Sequence, residues 1–203
     1  MTFFFLLNIS KKFNKTLDSY IDIEARKITS YIVNKSLKEI GEINIADYID
    51  TSNNGVSYNV SKINKFKSDF YQILQKNFSE VEHGEYNDYP TFIKYNKKKY
   101  KYIRTGYLCE ININSLNNIY LLSNVGPNIP VKLSFLGDIN VDIDTKIKDY
   151  GINNVIVQLF VIVEVNNQVS MPMSSMTHRL EVKELVSMNI IKGSIPNYYS
   201  NFS

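Results

Sequence analysis

A short acidic segment, EVEH, contains one of the few groups of residues in this chain that could bind a metal. Glu80, Glu82 and His83 lie within four positions, and zinc accepts both carboxylate and imidazole ligands. The segment is polar, is expected to connect a helix to a strand, and has no second cluster of ligands to match it. We therefore interpret the three side chains as solvated, and we predict neither a metal nor a cofactor.

A second candidate is the segment SSMTHR, which combines two hydroxyl groups with an imidazole. Ser174, Ser175 and His178 could in principle supply a nucleophile and its base. No glycines frame either serine, so the segment lacks the tight turn that exposes a nucleophilic serine in hydrolases. A turn or an edge strand explains these residues better, and we predict no catalytic residue here.

Three aspartates share the polar face of a predicted strand. Asp138, Asp142 and Asp144 fall within seven positions, and the last two are two residues apart. A calcium site would need more oxygen ligands and usually a loop. Paired carboxylates also serve glycoside hydrolysis, although nothing else in the sequence points to it. Solvated acids on the outside of a sheet are the preferred interpretation.

The segment TFIKYNKKKYKYIR predicts a hairpin with a lysine-rich tip. Lys97, Lys98, Lys99 and Lys101 alternate there with tyrosines. Basic and aromatic residues on a sheet suit single-stranded nucleic acid, and lysines also suit an anionic lipid surface. Lysines that protect an exposed strand edge are the commoner explanation. Contact with an anionic surface is the second choice, and no nucleic-acid partner is expected.

Composition agrees with one domain, or with one domain and a helical appendage, and excludes some classes of site. The chain has 203 residues, 44% of them hydrophobic, and a net charge of +3, which is too weak to indicate nucleic acid. The single cysteine excludes an internal disulfide and a cysteine-based zinc site.

Near the N-terminus, FFFLL (Phe3 to Leu7) is strongly apolar but too short to span a membrane. It is either a hydrophobic end that packs on the fold or the surviving end of a membrane anchor, and the sequence slightly favours the anchor.

The first part of the chain has helical periodicity. Apolar residues at steps of three and four predict a helix from about Ser10 to Ile40, which Gly41 would end. The segment NNGVSYNVS predicts a turn and a short strand through Val56, Tyr58 and Val60. Ser61 is the expected N-cap of a second helix that ends near Glu80.

The second part alternates with period two and predicts long strands. YLCEINI is one strand, and Ile129 to Ile147 is a second, in which Gly137 is expected to form a bulge or bend that breaks the strand. Gly151 to Asn154 form the next turn, and Val155 to Val165 form the third strand. NNQ at 166–168 is expected to turn the chain into a last strand around Leu180 to Ile190.

These patterns predict an α+β fold, in which a long N-terminal helix and a second amphipathic helix pack on a curved antiparallel sheet of long strands. We expect residues 1–9 to be the remnant of a membrane anchor and residues 10–203 to form one domain. Within it, residues 10–40 form the N-terminal helix, and residues 56–203 contain the sheet and the second helix.

Several motifs in the second half resemble one known family. They are GPNIPVKL (Gly126 to Leu133), the following GDINVDI, YGINN (Tyr150 to Asn154) and IIKGSIPNYY (Ile190 to Tyr199). Their order and spacing are similar to those of the sporulation protein YunB family of endospore-forming bacteria. The resemblance covers Gly126 to Tyr199 well, and the two amphipathic helices fall in the places expected for that family.

The resemblance implies a protein made during sporulation, anchored by one N-terminal membrane helix, with its domain outside the cytoplasm at the forespore envelope. It implies no assigned enzymatic activity and supplies no catalytic residues. Other sporulation or envelope proteins are the implied partners. This chain departs from the family at its start, where FFFLL alone corresponds to the anchor. The oligomeric state is left open.

We therefore predict a non-enzymatic, envelope-associated scaffold or interaction module that spore formation requires. The alternative is a protein that binds lipid or another hydrophobic ligand between the forespore membranes. Its groove would lie on the apolar face of the second long strand. The expected lining residues are Val131, Leu133, Phe135, Ile139, Val141 and Ile143.

Overall fold

The computed structural model describes residues 2–50, 57–83, 107–112, 128–151, 154–171 and 174–192. Side chains are described from Leu17 onward, except those of β3 and of seven further strand residues: 129, 133, 136, 137, 171, 174 and 176. The helices are α1 (Thr2–Ile40) and α2 (Val60–His83), with a short 3₁₀ turn, η1, at Ile45–Asp47. The strands are β1 (Ile49–Asp50), β2 (Ser57–Tyr58), β3 (Tyr107–Asn112), β4 (Asn128–Tyr150), β5 (Asn154–Met171) and β6 (Ser174–Lys192).

The long helix α1 ends where the sequence predicts. Its last residue is Ile40, and Gly41 follows with φ of +90°, a conformation that glycine adopts without steric cost. The helix begins at Thr2, so the backbone from Phe3 to Leu7 is helical and continuous with it. The buried stripe of α1 comprises Leu17, Ile21, Ala25, Ile28, Ile32 and Val33.

The second helix, α2, differs from the prediction at both ends. Its N-cap is Asn59, whose side chain accepts a hydrogen bond from the backbone N–H of Lys62 at 3.1 Å, so Ser61 and Val60 already lie inside the helix. It continues through EVEH to His83, because Val81 is fully buried and extends the apolar face by one turn. The predicted stripe is confirmed through Phe66, Phe70, Leu74 and Phe78.

The main sheet is an antiparallel meander in the order β3-β4-β5-β6, and β1 and β2 form a separate two-stranded ladder. The predicted α+β class with an antiparallel sheet of long strands is confirmed. The expected turn at 166–168 is wrong: β5 passes through NNQ and stays paired with β6 up to Met171. Asn167 can continue the strand because it faces α1, where it donates a hydrogen bond to Thr29.

The bulge predicted near Gly137 is confirmed. Phe135 pairs with Asn167 and Ile139 pairs with Val165, so β4 advances four residues while β5 advances two. The expected break in the strand is wrong, because β4 continues on both sides of this irregularity and reaches 23 residues. A bulge adds twist without ending the ladder, which explains how so long a strand is maintained.

Both helices lie on one face of the sheet, which we call the covered face. Arg26 contacts Glu181 and Asn34 contacts Glu184, so α1 runs in the same direction as β6. α2 lies over β4, where Phe78 packs on Phe135 with ring centroids 4.5 Å apart. One shared core therefore joins the two helices to β4, β5 and β6.

Candidate functional site

The predicted groove residues lie mostly beneath the helices. Val131, Phe135 and Val141 are buried in the helix–sheet core, and Ile139 and Ile143 are half-buried at its border. The side chain of Leu133 lies outside the described residues. Phe135 and Ile139 border a cleft of about 560 Å³ beside α2, whose other lining residues are mainly polar. The apolar face of β4 is thus largely filled by protein, and the groove remains a prediction.

The predicted lysine-rich hairpin lies outside the described residues, as do Lys97, Lys98, Lys99 and Lys101. Its contact with an anionic surface stays a prediction.

The side chains of Phe3 to Leu7 are also outside the described residues, although their backbone belongs to α1. Among the described residues, no helix is long and apolar enough to cross a membrane.

Two residues of the acidic segment EVEH, Glu80 and Glu82, are half-buried and engaged in the fold, contrary to the expectation of solvated side chains, whereas His83 is exposed. One carboxylate oxygen of Glu82 accepts hydrogen bonds from the Ser134 hydroxyl at 2.9 Å and the Phe135 backbone N–H at 2.7 Å. Phe135 is the residue at which the β4 register shifts. Glu82 therefore provides the acceptor for the backbone N–H of Phe135 next to the bulge. A buried N–H without an acceptor would be costly.

The other two residues of this segment point to different partners. Glu80 pairs with Lys35 of α1 at 3.2 Å and with Lys76 at 3.7 Å. His83 places Nδ1 2.7 Å from the carbonyl oxygen of Ser79, a contact in which the imidazole must donate. Across the described ranges, no group of three or more His, Cys, Asp or Glu side chains is arranged to hold a metal.

A polar network of Lys35, Ser36 and Asn77 links α1 to α2 inside the core. Ser36 and Asn77 are fully buried, and the Asn77 amide donates to the Ser36 hydroxyl at 2.9 Å. Lys35 donates to the Asn77 carbonyl oxygen at 2.7 Å. These hydrogen bonds fix how the two helices pack, because a buried polar group left unpaired is costly.

The serine–histidine segment cannot assemble a dyad within one strand. Ser175 pairs with Ser170 and His178 pairs with Asn167, so these two side chains lie on opposite faces of the sheet. Ser174 is four residues from His178, roughly 13 Å along the strand backbone, and its side chain lies outside the described residues. The Ser175 hydroxyl instead accepts a hydrogen bond from Gln168 at 3.1 Å.

The aspartates of β4 form ion pairs rather than a shared site. Asp142 accepts from Lys67 of α2 at 3.1 Å, and Asp144 accepts from Lys183 of β6 at 2.5 Å. The backbone N–H of Ile143 also donates to the Asp142 carboxylate at 2.9 Å. Asp138 is exposed. The side chains of Asp142 and Asp144 are 63% and 44% exposed, so the acids lie on the solvated outside of the sheet as predicted, and two of them also form ion pairs.

These contacts shift the pKa of three carboxyl groups downward. The Ile143 amide and then Lys67 lower the pKa of Asp142, and the hydrogen bond from Lys183 lowers that of Asp144. Arg179, 2.5 Å away, lowers the pKa of Glu164. Each donor favours the charged carboxylate over the neutral acid. This direction is the opposite of the shift that a general acid needs.

The face of the sheet opposite the helices, which we call the open face, also contains an apolar area. Ile156, Phe160 and Ile162 point to this side and are half-buried. Leu185 is opposite Phe160, and Ile190 is opposite Ile156. Leu185 and Ile190 are apolar, but their sequence positions do not show which face of β6 they occupy. The register shift between Leu159 and Phe160 decides which residues of β6 lie on the open face.

The architecture defines an α+β protein in which two helices cover one face of a long antiparallel meander. A family model described as Sporulation protein YunB matches residues 108–198, which begin in β3 and include all of β4, β5 and β6. The Sporulation protein YunB of Bacillus subtilis (strain 168) is 26% identical over 188 residues, covering 88% of this chain and 68% of that protein. The resemblance to the sporulation protein YunB family is thereby confirmed. No solved structure matches this chain.

Proposed function

We propose that this protein is a non-enzymatic scaffold or interaction module at the forespore envelope, and that spore formation requires it. The family match supports a role in sporulation. The observation that carries the finer proposal is the sheet itself, in which strands of 23, 18 and 19 residues pair along nearly their whole length. Eighteen residues of strand extend roughly 60 Å, a platform long enough to present separate surfaces to separate partners.

The positions of the candidate catalytic groups support the non-enzymatic part of the proposal. Glu82 binds the β4 bulge, Asp144 pairs with Lys183, and Ser175 and His178 lie on opposite faces. The packing of Val131 and Val141 beneath the helices favours the scaffold over the lipid-binding groove. Envelope location, anchoring through the Phe3 to Leu7 end, and partners among other sporulation proteins belong to the same proposal.

Complementation in a spore former tests this function. Deleting the gene should lower the count of heat-resistant spores, and the wild-type gene should restore it. A triple variant, Ser174→Ala, Ser175→Ala and His178→Asn, should restore the count as well, because the proposal gives these groups no chemistry. An unchanged count after deletion would remove the role. A triple variant that accumulates normally on an immunoblot but fails to restore spores would contradict the non-enzymatic assignment.

A further inference from the structure

The half of the open face near the β4–β5 turn is both apolar and basic. Four rows of side chains cross β4, β5 and β6 there. Four large apolar or aromatic side chains on it are exposed: Leu185 is 48% exposed, Met188 56%, Ile190 42% and Tyr150 51%. In order toward the turn, the rows are Asp144–Phe160–Leu185, Lys146–Gln158–Met188, Lys148–Ile156–Ile190 and Tyr150–Asn154–Lys192. We call these four rows the distal patch.

Charge is segregated along this face. The distal patch has three lysines, Lys146, Lys148 and Lys192, for which the described residues provide no ion pair. Its one aspartate, Asp144, is neutralised by Lys183, whose ammonium lies 4.8 Å from the centre of the Phe160 ring. The other half of the open face instead has Glu164 opposite Glu181, with Arg179 beside them. The positive charge therefore coincides with the exposed apolar residues.

We infer that the distal patch is a docking surface for an anionic lipid bilayer. Lys146 and Lys148 are neighbours on the open face of β4, two residues apart in the chain. Met188 and Ile190 lie two strands away on β6, about 10 Å across the sheet. Apolar side chains beside a column of lysines match the boundary between acyl chains and acidic headgroups. Long lysine side chains can reach headgroups while the apolar residues enter the bilayer.

Electrostatics favours this occupant over a second copy of the chain. Two distal patches facing each other would bring lysines of the same sign together, whereas an anionic bilayer neutralises all of them. α1 runs parallel to β6, so its N-terminal half lies toward the opposite end of the sheet from the patch. The inference goes beyond the proposed function, because lipid binding can fail while the role in sporulation stands.

Vesicle sedimentation with the full chain tests the lysines. We expect binding to vesicles of phosphatidylcholine with 30 mol% phosphatidylglycerol, and little binding to phosphatidylcholine alone. Each lysine at an anionic surface changes partitioning by about fivefold, so Lys146→Gln with Lys148→Gln should weaken it about 25-fold. The matched control is Lys65→Gln with Lys76→Gln, which removes the same charge from α2 on the covered side. Equal losses in the two double variants, or none in the first, would overturn the inference.

A tryptophan reporter tests whether this face meets the bilayer, even if another part of the chain also binds lipid. The chain has no tryptophan, so Met188→Trp introduces a single tryptophan, whose emission is distinct from that of the tyrosines. Its emission should shift to the blue with anionic vesicles and be quenched by brominated acyl chains. Tyr58→Trp, at an exposed position on β2, should show neither effect. An unshifted Met188→Trp, or a wild-type dimer that Met188→Ser dissociates in sedimentation, would overturn the lipid assignment.

Discussion

Glu82 and Asn167 show how single polar side chains acquire a structural role that their neighbours in sequence do not reveal. The partner of Glu82, Ser134, is 52 residues away in the chain. Asn167 is fully buried on the covered face, where its amide donates to the Thr29 hydroxyl at 3.4 Å while its carbonyl oxygen has no partner within the described part of the chain. Glu82 pairs with two donors of β4, whereas Asn167 pairs through its amide group alone.

Replacing Glu82 should destabilise the protein, and the loss should be smaller when the new side chain still has a hydrogen-bond acceptor. Glu82→Ala leaves the Phe135 N–H beside the bulge without its bond, which should lower the free energy of unfolding by about 1–3 kcal/mol. Glu82→Gln retains one acceptor oxygen and should lose less. Urea unfolding followed by circular dichroism measures both. Gln75→Ala, an exposed position on the same helix, is the control and should change little. Equal losses for the Ala and Gln variants would contradict this account.

The Thr29–Asn167 pair should behave non-additively. Asn167→Val alone leaves the Thr29 hydroxyl buried without its bond and should cost about 1 kcal/mol. Adding Thr29→Val removes both polar groups, and the double variant should be at least as stable as Asn167→Val. Valine and threonine have similar helix propensities, so Thr29→Val alone serves as the control. A double-mutant cycle in urea reports the coupling, and simple additivity would contradict the pairing.

At the scale of elements, the long strands depend on contacts that protect their edges and align their rows. Lys67 of α2 reaches Asp142 on β4, and Arg26 of α1 donates to the Glu181 carbonyl of β6 at 3.4 Å. β6 ends the described strand order β3-β4-β5-β6, and a charged group that engages such an edge strand discourages pairing with another chain. Across the open face, Lys183–Asp144 and Arg179–Glu164 join β6 to β4 and to β5.

These carboxylates predict a loss of stability in acid. The hydrogen bonds lower the folded-state pKa of Asp142, Asp144 and Glu164, so the unfolded chain binds more protons as the pH falls. The stabilisation is complete above the unfolded pKa, near about 4, and is lost as the pH falls through the lower folded values. The melting temperature should therefore be steady from pH 7 to about 5 and decrease below about 4.

Substitution of one carboxyl group tests the assignment. Asp144→Asn should flatten the decrease in melting temperature between pH 5 and 3, and 0.5 M salt should reduce the difference because these pairs are exposed. Asp138→Asn removes an exposed carboxyl of the same strand that forms no ion pair among the described residues, and should leave the profile unchanged. A flattening of the same size in both variants would show that net charge, not pairing, is responsible.

At the scale of the whole molecule, α1, α2 and the sheet share one hydrophobic core. Phe70 is fully buried in it and stacks on Phe66 with ring centroids 5.6 Å apart. Ile28 and Ile32 of α1 belong to the same core as Val163 of β5. Neither helix can leave without exposing the apolar face of its neighbours.

This shared core predicts a single cooperative transition. Helical circular dichroism and tyrosine fluorescence should report the same urea midpoint, as expected if residues 10–203 form one domain. Phe70→Ala should lower the free energy of unfolding by about 3–5 kcal/mol and move both midpoints together. Gln72→Ala, on the exposed side of α2, should have little effect. Two separate midpoints in the wild-type protein would contradict the single domain.

The sequence by itself determined the elements whose periodicity is local. The stripe of α1 and its end at Gly41, the apolar face of α2, the alternation of β4 and β5, and the bulge near Gly137 all follow from side-chain spacing and backbone preference. Only the tertiary structure decided the roles of polar residues and the extent of β5. Asn167 continues the strand because Thr29 lies above it, and Glu82 is bonded because β4 presents a free N–H. Hydrogen bonds between residues far apart in the chain depend on packing, which spacing along the sequence does not encode.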